Sequence, residues 1–264
     1  MTASSPTANL DQAKFRKSWS TSGSAERNSG PIAEAITPYL SQLASSRSSR
    51  AGARKPLVLE IASGFGQQIS KIAERNPEVE LQPTEADDYL AEKIDEQCSS
   101  LKNVRPAKLL EATSQGYWSA AIQDAAFAID KASSDPSSKD VFDAILICNL
   151  THVSPFDVTE AIFAQLDPRI SHITMLGESR MLNQKDGFVA IYGAFKQKGS
   201  FTSEGDKKES SQFDEEIRAR DPSFGLRDID SEMIPLAERH GYTLDERKAM
   251  PANNLLLIFR PLMR

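Results

Sequence analysis

The sequence predicts a doubly wound α/β domain on a seven-stranded, mostly parallel sheet, and three observations carry that prediction. Short apolar runs, each too short for a helix, alternate with stretches in which apolar residues recur at helical spacing. Residues 141–148 (VFDAILIC) form a near-continuous apolar run, as expected of a central parallel strand covered on both faces. The chain closes with two strand-like segments, 242–248 and 255–260, joined by the hairpin-like Met250-Pro251-Ala252-Asn253-Asn254. One of those last two strands must therefore run against the parallel set.

Taken in order, residues 1–22 are rich in Ser, Thr and Ala without periodicity and read as a mobile leader, followed by one domain over 23–264. From Pro31, the positions Ile32, Ala35, Ile36 and Tyr39 fall on a helix face, and the polar stretch 41–55 reads as a loop. Residues 57–61 are a buried strand bounded by Pro56 and Gly64; Ile69, Ile72 and Ala73 mark a helix stopped by Asn76-Pro77. Val79 and Leu81 begin a second strand, Leu90, Ile94 and Leu101 a helix, and 104–110 a weaker strand. A helix is expected over 117–131, a loop over 133–138, the long strand 141–148, a helix over 158–166 and a fifth strand over 188–192. Residues 196–211 show no element, and 230–240 read as a helix kinked or broken at Pro235.

The chain has 264 residues, 39% apolar and 26% charged, which allows a sizeable core. A net charge of −6 argues against a nucleic-acid surface. No apolar run approaches the ~18 residues of a membrane helix, and the polar N-terminus has no hydrophobic signal core. Cys98 and Cys148 sit in apolar patterns as free thiols, so a reducing compartment, the cytoplasm, is the expected location. The oligomeric state is not legible.

Candidate site residues gather where strands end. The first strand runs into Glu60-Ile61-Ala62-Ser63-Gly64-Phe65-Gly66-Gln67-Gln68. Gly64 and Gly66 let the backbone pass close beneath a ligand, with Ala62, Ser63 and Gln68 beside it. Glu60 suits a cationic group such as an ammonium. A dinucleotide fingerprint wants a third glycine where Ile69 stands, so the pattern points from NAD toward S-adenosylmethionine. Glu85, after the second strand, can accept from both ribose hydroxyls, while Asp87 and Asp88 cap the next helix. Glu111 can accept the adenine amine or remain a surface carboxylate. Asn149 and His152 follow the fourth strand; Asn149 can orient donor or acceptor, and His152 can act as general base, or both can satisfy local backbone groups. Tyr192 after the fifth strand should join His152 on the acceptor side. His240 reads as a helix cap, Arg227-Asp228 as an ion pair fixing the following helix, and no Cys/His cluster has zinc-ligand spacing.

Several segments together resemble the methyltransferase-like protein 26 family. They include Glu26-Arg27-Asn28 with Pro31-Ile32, 59–64 with Gly66-Gln67, Gln82-Pro83, and Asn149 with 152–155. Tyr192-Gly193, Phe213-Asp214, 220–222, 225–228, 250–254 and 258–260 complete the set, over roughly residues 24–261. The resemblance implies a class I methyltransferase, Rossmann-like sheet with the last strand antiparallel, and S-adenosylmethionine as cofactor. It supplies no acceptor. The leader, the stretch 41–55 and an insertion around 167–178 depart from it. Glu26-Arg27-Asn28 are expected either to fold over the cofactor as a lid, Arg27 or Asn28 supplying a polar contact, or to cap the helix before Pro31. The function expected is methyl transfer to an oxygen or nitrogen of a small molecule. The alternatives are a non-methylating cyclisation or rearrangement on the same fold, or a regulator that binds the cofactor without turnover.

Overall fold

Pro56 ends the preceding polar stretch, and strand β1 (Leu57–Ile61) follows with all five residues buried. In the computed structural model, which describes residues 23–48, 54–132, 140–174, 177–201 and 207–262, β1 pairs in parallel with β2 (Glu80–Glu85) on one side and β5 (Ala144–Cys148) on the other. β3 (Lys108–Leu109) extends one edge in parallel and β8 (Phe188–Gln197) continues the other, again in parallel. β12 (Asn254–Pro261) then lies antiparallel to β8, and β11 (Tyr242–Ala249) antiparallel to β12. The path β11-β12-β8-β5-β1-β2-β3 holds the seven expected strands, and the antiparallel member is the last.

Side-chain alternation explains why the strands read as continuous apolar runs: Leu57, Leu59 and Ile61 enter one core cluster and Val58 the other. The first cluster lies under α4 (Gln115–Ala132), α5 (Phe156–Leu166) and α7 (Ile234–Arg239), with Trp118, Ile162, Phe163 and Leu236 fully buried. The second lies under α1 (Ser24–Ser48), α2 (Gln67–Arg75) and α3 (Asp88–Cys98), through Ile32, Ile36, Ile69 and Ile94. Among the described residues, no helix is long and apolar enough to cross a membrane. The leader, residues 49–53 and the loop 133–138 lie outside the described residues.

Four expectations need correction. The stretch 41–48 is helical, because Leu43 and Arg47 carry the buried face of α1 onward while Ser41, Ser45 and Ser48 stay exposed; Ser45 donates back to the Ser41 carbonyl at 2.8 Å. The helix also begins at Ser24, ahead of Pro31. The run 141–148 is broken at Asp143 into β4 (Asp140–Phe142) and β5, and β4 leaves the main sheet to join a three-stranded one with β7 (Gly177–Leu182) and β6 (His172–Thr174). Asp143 is fully buried and accepts from Arg47 Nε at 2.9 Å, Arg54 Nη1 at 2.7 Å and the Leu57 amide at 2.9 Å. Burial alone would raise its carboxyl, but the two guanidiniums hold it below the ordinary range, tying α1 to the start of β1.

The stretch 196–211 is the fourth. β8 continues to Gln197, turns through left-handed Lys198 and Gly199 into β9 (Ser200–Phe201), and α6 (Lys207–Arg220) follows. β10 (Arg227–Asp228) then adds to the outer end of β8, and one π-helical turn (Ile229–Met233) leads into α7. Pro235 falls in the first turn of α7, directly after the π-helical turn.

Candidate functional site

Three strands deliver their carboxyl ends to one crevice, and the backbone there is left-handed at repeated positions. After β1 the chain turns through Ala62, Gly64 and Gly66, with φ of 57°, 57° and 80°. After β5 it turns at Asn149, also at φ 57°. Ala62 carries a side chain into a region that costs an L-residue roughly 1 kcal/mol, so the surrounding bonds must hold it there. They do: Ser63 N donates to Thr84 O at 2.9 Å, Gly66 N to Ser63 O at 2.9 Å, and Gly64 N to Glu85 Oε2 at 2.9 Å. Asn149 N donates to Tyr192 O at 2.8 Å, fixing the β5 end to β8.

The antiparallel direction of β12 matters here. Asn254 pairs with Ala194, so the hairpin 250–254 reaches the same edge as the carboxyl ends of the parallel strands. The first turn of α1 and the body of α6 close the remaining sides. Together they enclose a cavity of about 550 Å3, within the size range of small-molecule sites.

Eight of the predicted residues line it: Asn28, Ala62, Ser63, Gly64, Gln68, Glu85, Asn149 and His152. A Cβ on Gly64 would meet no atom within 4 Å, so this glycine faces open space. Glu85, the last residue of β2, uses Oε2 on Gly64 N and Oε1 on Ala86 N, which orients both oxygens. Its burial raises the carboxyl pKa against those two bonds.

Four predicted residues lie elsewhere. Gly66 packs against α3, where a Cβ would come within 3.3 Å of Ile94 Cα, so it serves the turn rather than a ligand. Glu111 turns onto its own neighbour, accepting from Thr113 N at 3.1 Å and Thr113 Oγ1 at 2.8 Å ahead of α4. Glu60 sits beneath the floor at 1% exposure, with neither carboxylate oxygen hydrogen-bonded. Burial, with Glu85 nearby, pushes it up to about 7, the Ser63 hydroxyl and Cys148 thiol being its polar neighbours. Tyr192 is a correction: its side chain joins the apolar cluster beneath α1 instead of the acceptor wall, and burial raises its hydroxyl pKa. Alternation along β8 sends Tyr192 to that face and leaves Gly193 beside the His152 ring.

His152 is buried with Nδ1 unpaired, its ring meeting Phe213 edge-on at 5.6 Å between centroids. Burial, assisted by the charge of Arg227, lowers its pKa to about 4, so the imidazole is neutral at physiological pH. Its loop is clamped: Arg227 donates to the carbonyls of Thr151 (3.0 Å), Ser154 (2.7 Å) and Ser223 (2.9 Å), and Gly225 N donates to His152 O at 3.0 Å. Arg227 thus holds carbonyls on either side of His152 rather than pairing with Asp228. Asp228 instead accepts from Gly199, Asp230 and Ser231 amides at 2.6, 2.9 and 2.9 Å.

Two further expectations can be placed. Asp87 caps α3, accepting from Leu90 N at 3.0 Å. His240 ends α7 with Nδ1 3.3 Å from Asp167 Oδ2. Asn28 does not cap a helix, because α1 already runs from Ser24; it belongs to a fixed helix end at the cavity.

Sequence reasoning missed the apolar lining: Phe65, Leu90, Leu150, Phe195, Phe213 and Leu226. Phe65 stands between the two glycines already singled out, and Leu90 reads as ordinary helix core. Phe213 and Leu226 fall in segments of the family-like set, which was the available signal.

Several solved structures share this fold at low identity. The pyocyanin biosynthetic protein PhzM aligns with TM-score 0.57 at 10% identity, over 94% of this chain and 61% of that one. Mitomycin 7-O-methyltransferase MmcR gives 0.55 at 11%, over 85% and 54%. The O-methyltransferase NcsB1 from neocarzinostatin biosynthesis, in complex with S-adenosylmethionine and 2-hydroxy-5-methyl naphthoic acid, gives 0.53 at 9%, over 90% and 57%. The chain spans little more than half the length of these proteins. The likeness shows a class I methyltransferase fold. Over residues 19–261 the sequence matches the family model described as protein of unknown function DUF938, and the chain belongs to that family.

Proposed function

We propose that this chain is an S-adenosylmethionine-dependent methyltransferase acting on an oxygen or nitrogen of a small molecule, within a single domain from residue 23 onward. The observation that carries the reading is one cavity lined by residues 62–65 of the left-handed turn, by Glu85 and by a neutral His152. The residues fit the cofactor. Gly64 leaves open space, and Glu85 holds two oriented oxygens for vicinal hydroxyls. S-adenosylmethionine, when bound, supplies an electrophilic methyl carbon on a sulfonium. The chain's own work is to hold the acceptor in line, exclude water and receive the acceptor's proton at His152.

Two further points belong to this proposal. The kinship with the methyltransferase-like protein 26 family is supported by the shared segments at the cavity: Asn28, the 62–66 turn, His152, Phe213 and the 250–254 hairpin. A role in cytoplasmic small-molecule metabolism is the setting we infer. The test is incubation of the protein with methyl-labelled S-adenosylmethionine and small-molecule cell extract. Label should pass to an extract component, and His152→Ala should lower that transfer with S-adenosylhomocysteine affinity unchanged. Label that never leaves the cofactor, in extracts of several sources, contradicts the transferase reading.

A further inference from the structure

The cap side of the cavity has a chemistry of its own. Leu150, His152, Val153, Phe195, Phe213 and Leu226 present aliphatic and aromatic surface, backed by a small cluster of Ile217, Phe224 and Phe201. The cations of this region are committed elsewhere. Lys196 and Arg218 both reach Asp214, at 3.0 and 3.1 Å, with the Lys196 ammonium over the Phe201 ring. Arg227 is spent on three carbonyls. Among the described residues lining the cavity, only Glu85 on the floor and Arg27 on α1 are of the Asp, Glu, Lys and Arg types.

A charged group placed among these wall side chains, which themselves supply no counter-charge, would lose its water at a cost of several kcal/mol by the usual scale of unpaired burial. A flat ring gains apolar burial, and aromatic edges and faces to meet. His152, a polar side chain of this wall, stands edge-on to Phe213 with its Nδ1 unpaired. We propose that the acceptor is an uncharged aromatic alcohol or amine, its ring against Phe213 and Leu226 and its hydroxyl or amino group toward His152. This rests on the methyltransferase reading for the floor and adds the substrate class.

The test uses the full chain and a matched pair of probes, 1-naphthol and 1-naphthoate, at about pH 7, where a phenol-type hydroxyl is neutral and a carboxyl ionised. S-adenosylhomocysteine is titrated first by calorimetry, then each probe is titrated into the saturated protein. 1-Naphthol should bind at least about tenfold more tightly than 1-naphthoate. Phe213→Ala, a half-buried position, should cost 1-naphthol at least about tenfold while S-adenosylhomocysteine affinity stays within about twofold. Equal or tighter binding of 1-naphthoate, or 1-naphthol affinity unchanged in Phe213→Ala, overturns the proposal. Failure of S-adenosylhomocysteine to bind contradicts the cofactor reading instead, and the probe comparison, run on the ligand-free protein, still decides the acceptor class by the same two criteria.

Discussion

Along the floor of the cavity the chain is shaped by its own backbone, whereas the cap is assembled by side chains reaching across the sequence. Ala62, Gly64, Gly66 and Asn149 take left-handed conformations within or beside the strand ends that carry them, and amides within the sheet hold them. The cap instead depends on Arg227 bridging to Thr151 and Ser154, and on Asp214 gathering Lys196, Arg218 and the Leu226 amide. A floor of this kind is set by local residues and sheet direction. A cap of this kind exists only once distant segments have met. The two should therefore fail separately.

The largest expected effect breaks the cap. Arg227→Met strips three carbonyls of their donor and should cost about 3 kcal/mol of stability in urea unfolding. S-adenosylhomocysteine affinity in native buffer should stay within about threefold, because the floor is untouched. Loss of that affinity would mean the two halves are not separable. Gly64→Val breaks the floor: a branched side chain at φ 57° would enter the open space there. Affinity for S-adenosylhomocysteine should fall at least about a hundredfold, about 2.8 kcal/mol, in a protein that still melts cooperatively.

Glu60 sharpens the comparison by pH. Its carboxyl, pushed up from 4.5 to about 7 by burial, keeps a proton in the folded protein that the unfolded chain has released. Stability therefore falls as pH rises from 4.5 to about 7 and stays lowered above it. Glu60→Gln should melt with the wild type near the low end of that window and roughly 5 °C higher at the top of it, in ligand-free protein. Coincident melting curves at both ends would contradict a buried, titrating Glu60. The smallest effect concerns α1. Deleting residues 1–22 should leave S-adenosylhomocysteine affinity unchanged, and deleting 1–30, which removes Asn28 from the cavity, should weaken it by about tenfold. Equal affinities for the two truncations would remove the helix end from the site.

The same division governs what could be read from the sequence. The seven strands of the main path, the β1 turn, Glu85 and the Asp87 cap follow from apolar periodicity, glycine positions and local capping chemistry, all short-range signals. Tyr192 went to the wrong side because its face is set by alternation along β8, whose length beyond residue 192 was not foreseen. The polar stretch 41–48 reads as loop because the contacts that fix its helix are long-range: Leu43 in the second core cluster, Ser46 with Asp186 and Arg47 with Asp143. Residues 207–220 were missed as a helix for a related reason: its polar residues outnumber the few, such as Ile217, that pack. Arg227 next to Asp228 reads as an ion pair in sequence, and only the folded loop 151–154 offers the carbonyls it prefers.

We assign the 62–66 turn and Glu85 to a site for S-adenosylmethionine. Calorimetric titration of the full chain with S-adenosylhomocysteine and, separately, with NAD tests it most directly. One equivalent of S-adenosylhomocysteine should bind and raise the melting temperature by mass action, with no heat from NAD. Absence of S-adenosylhomocysteine binding, or tighter binding of NAD, would contradict the claim.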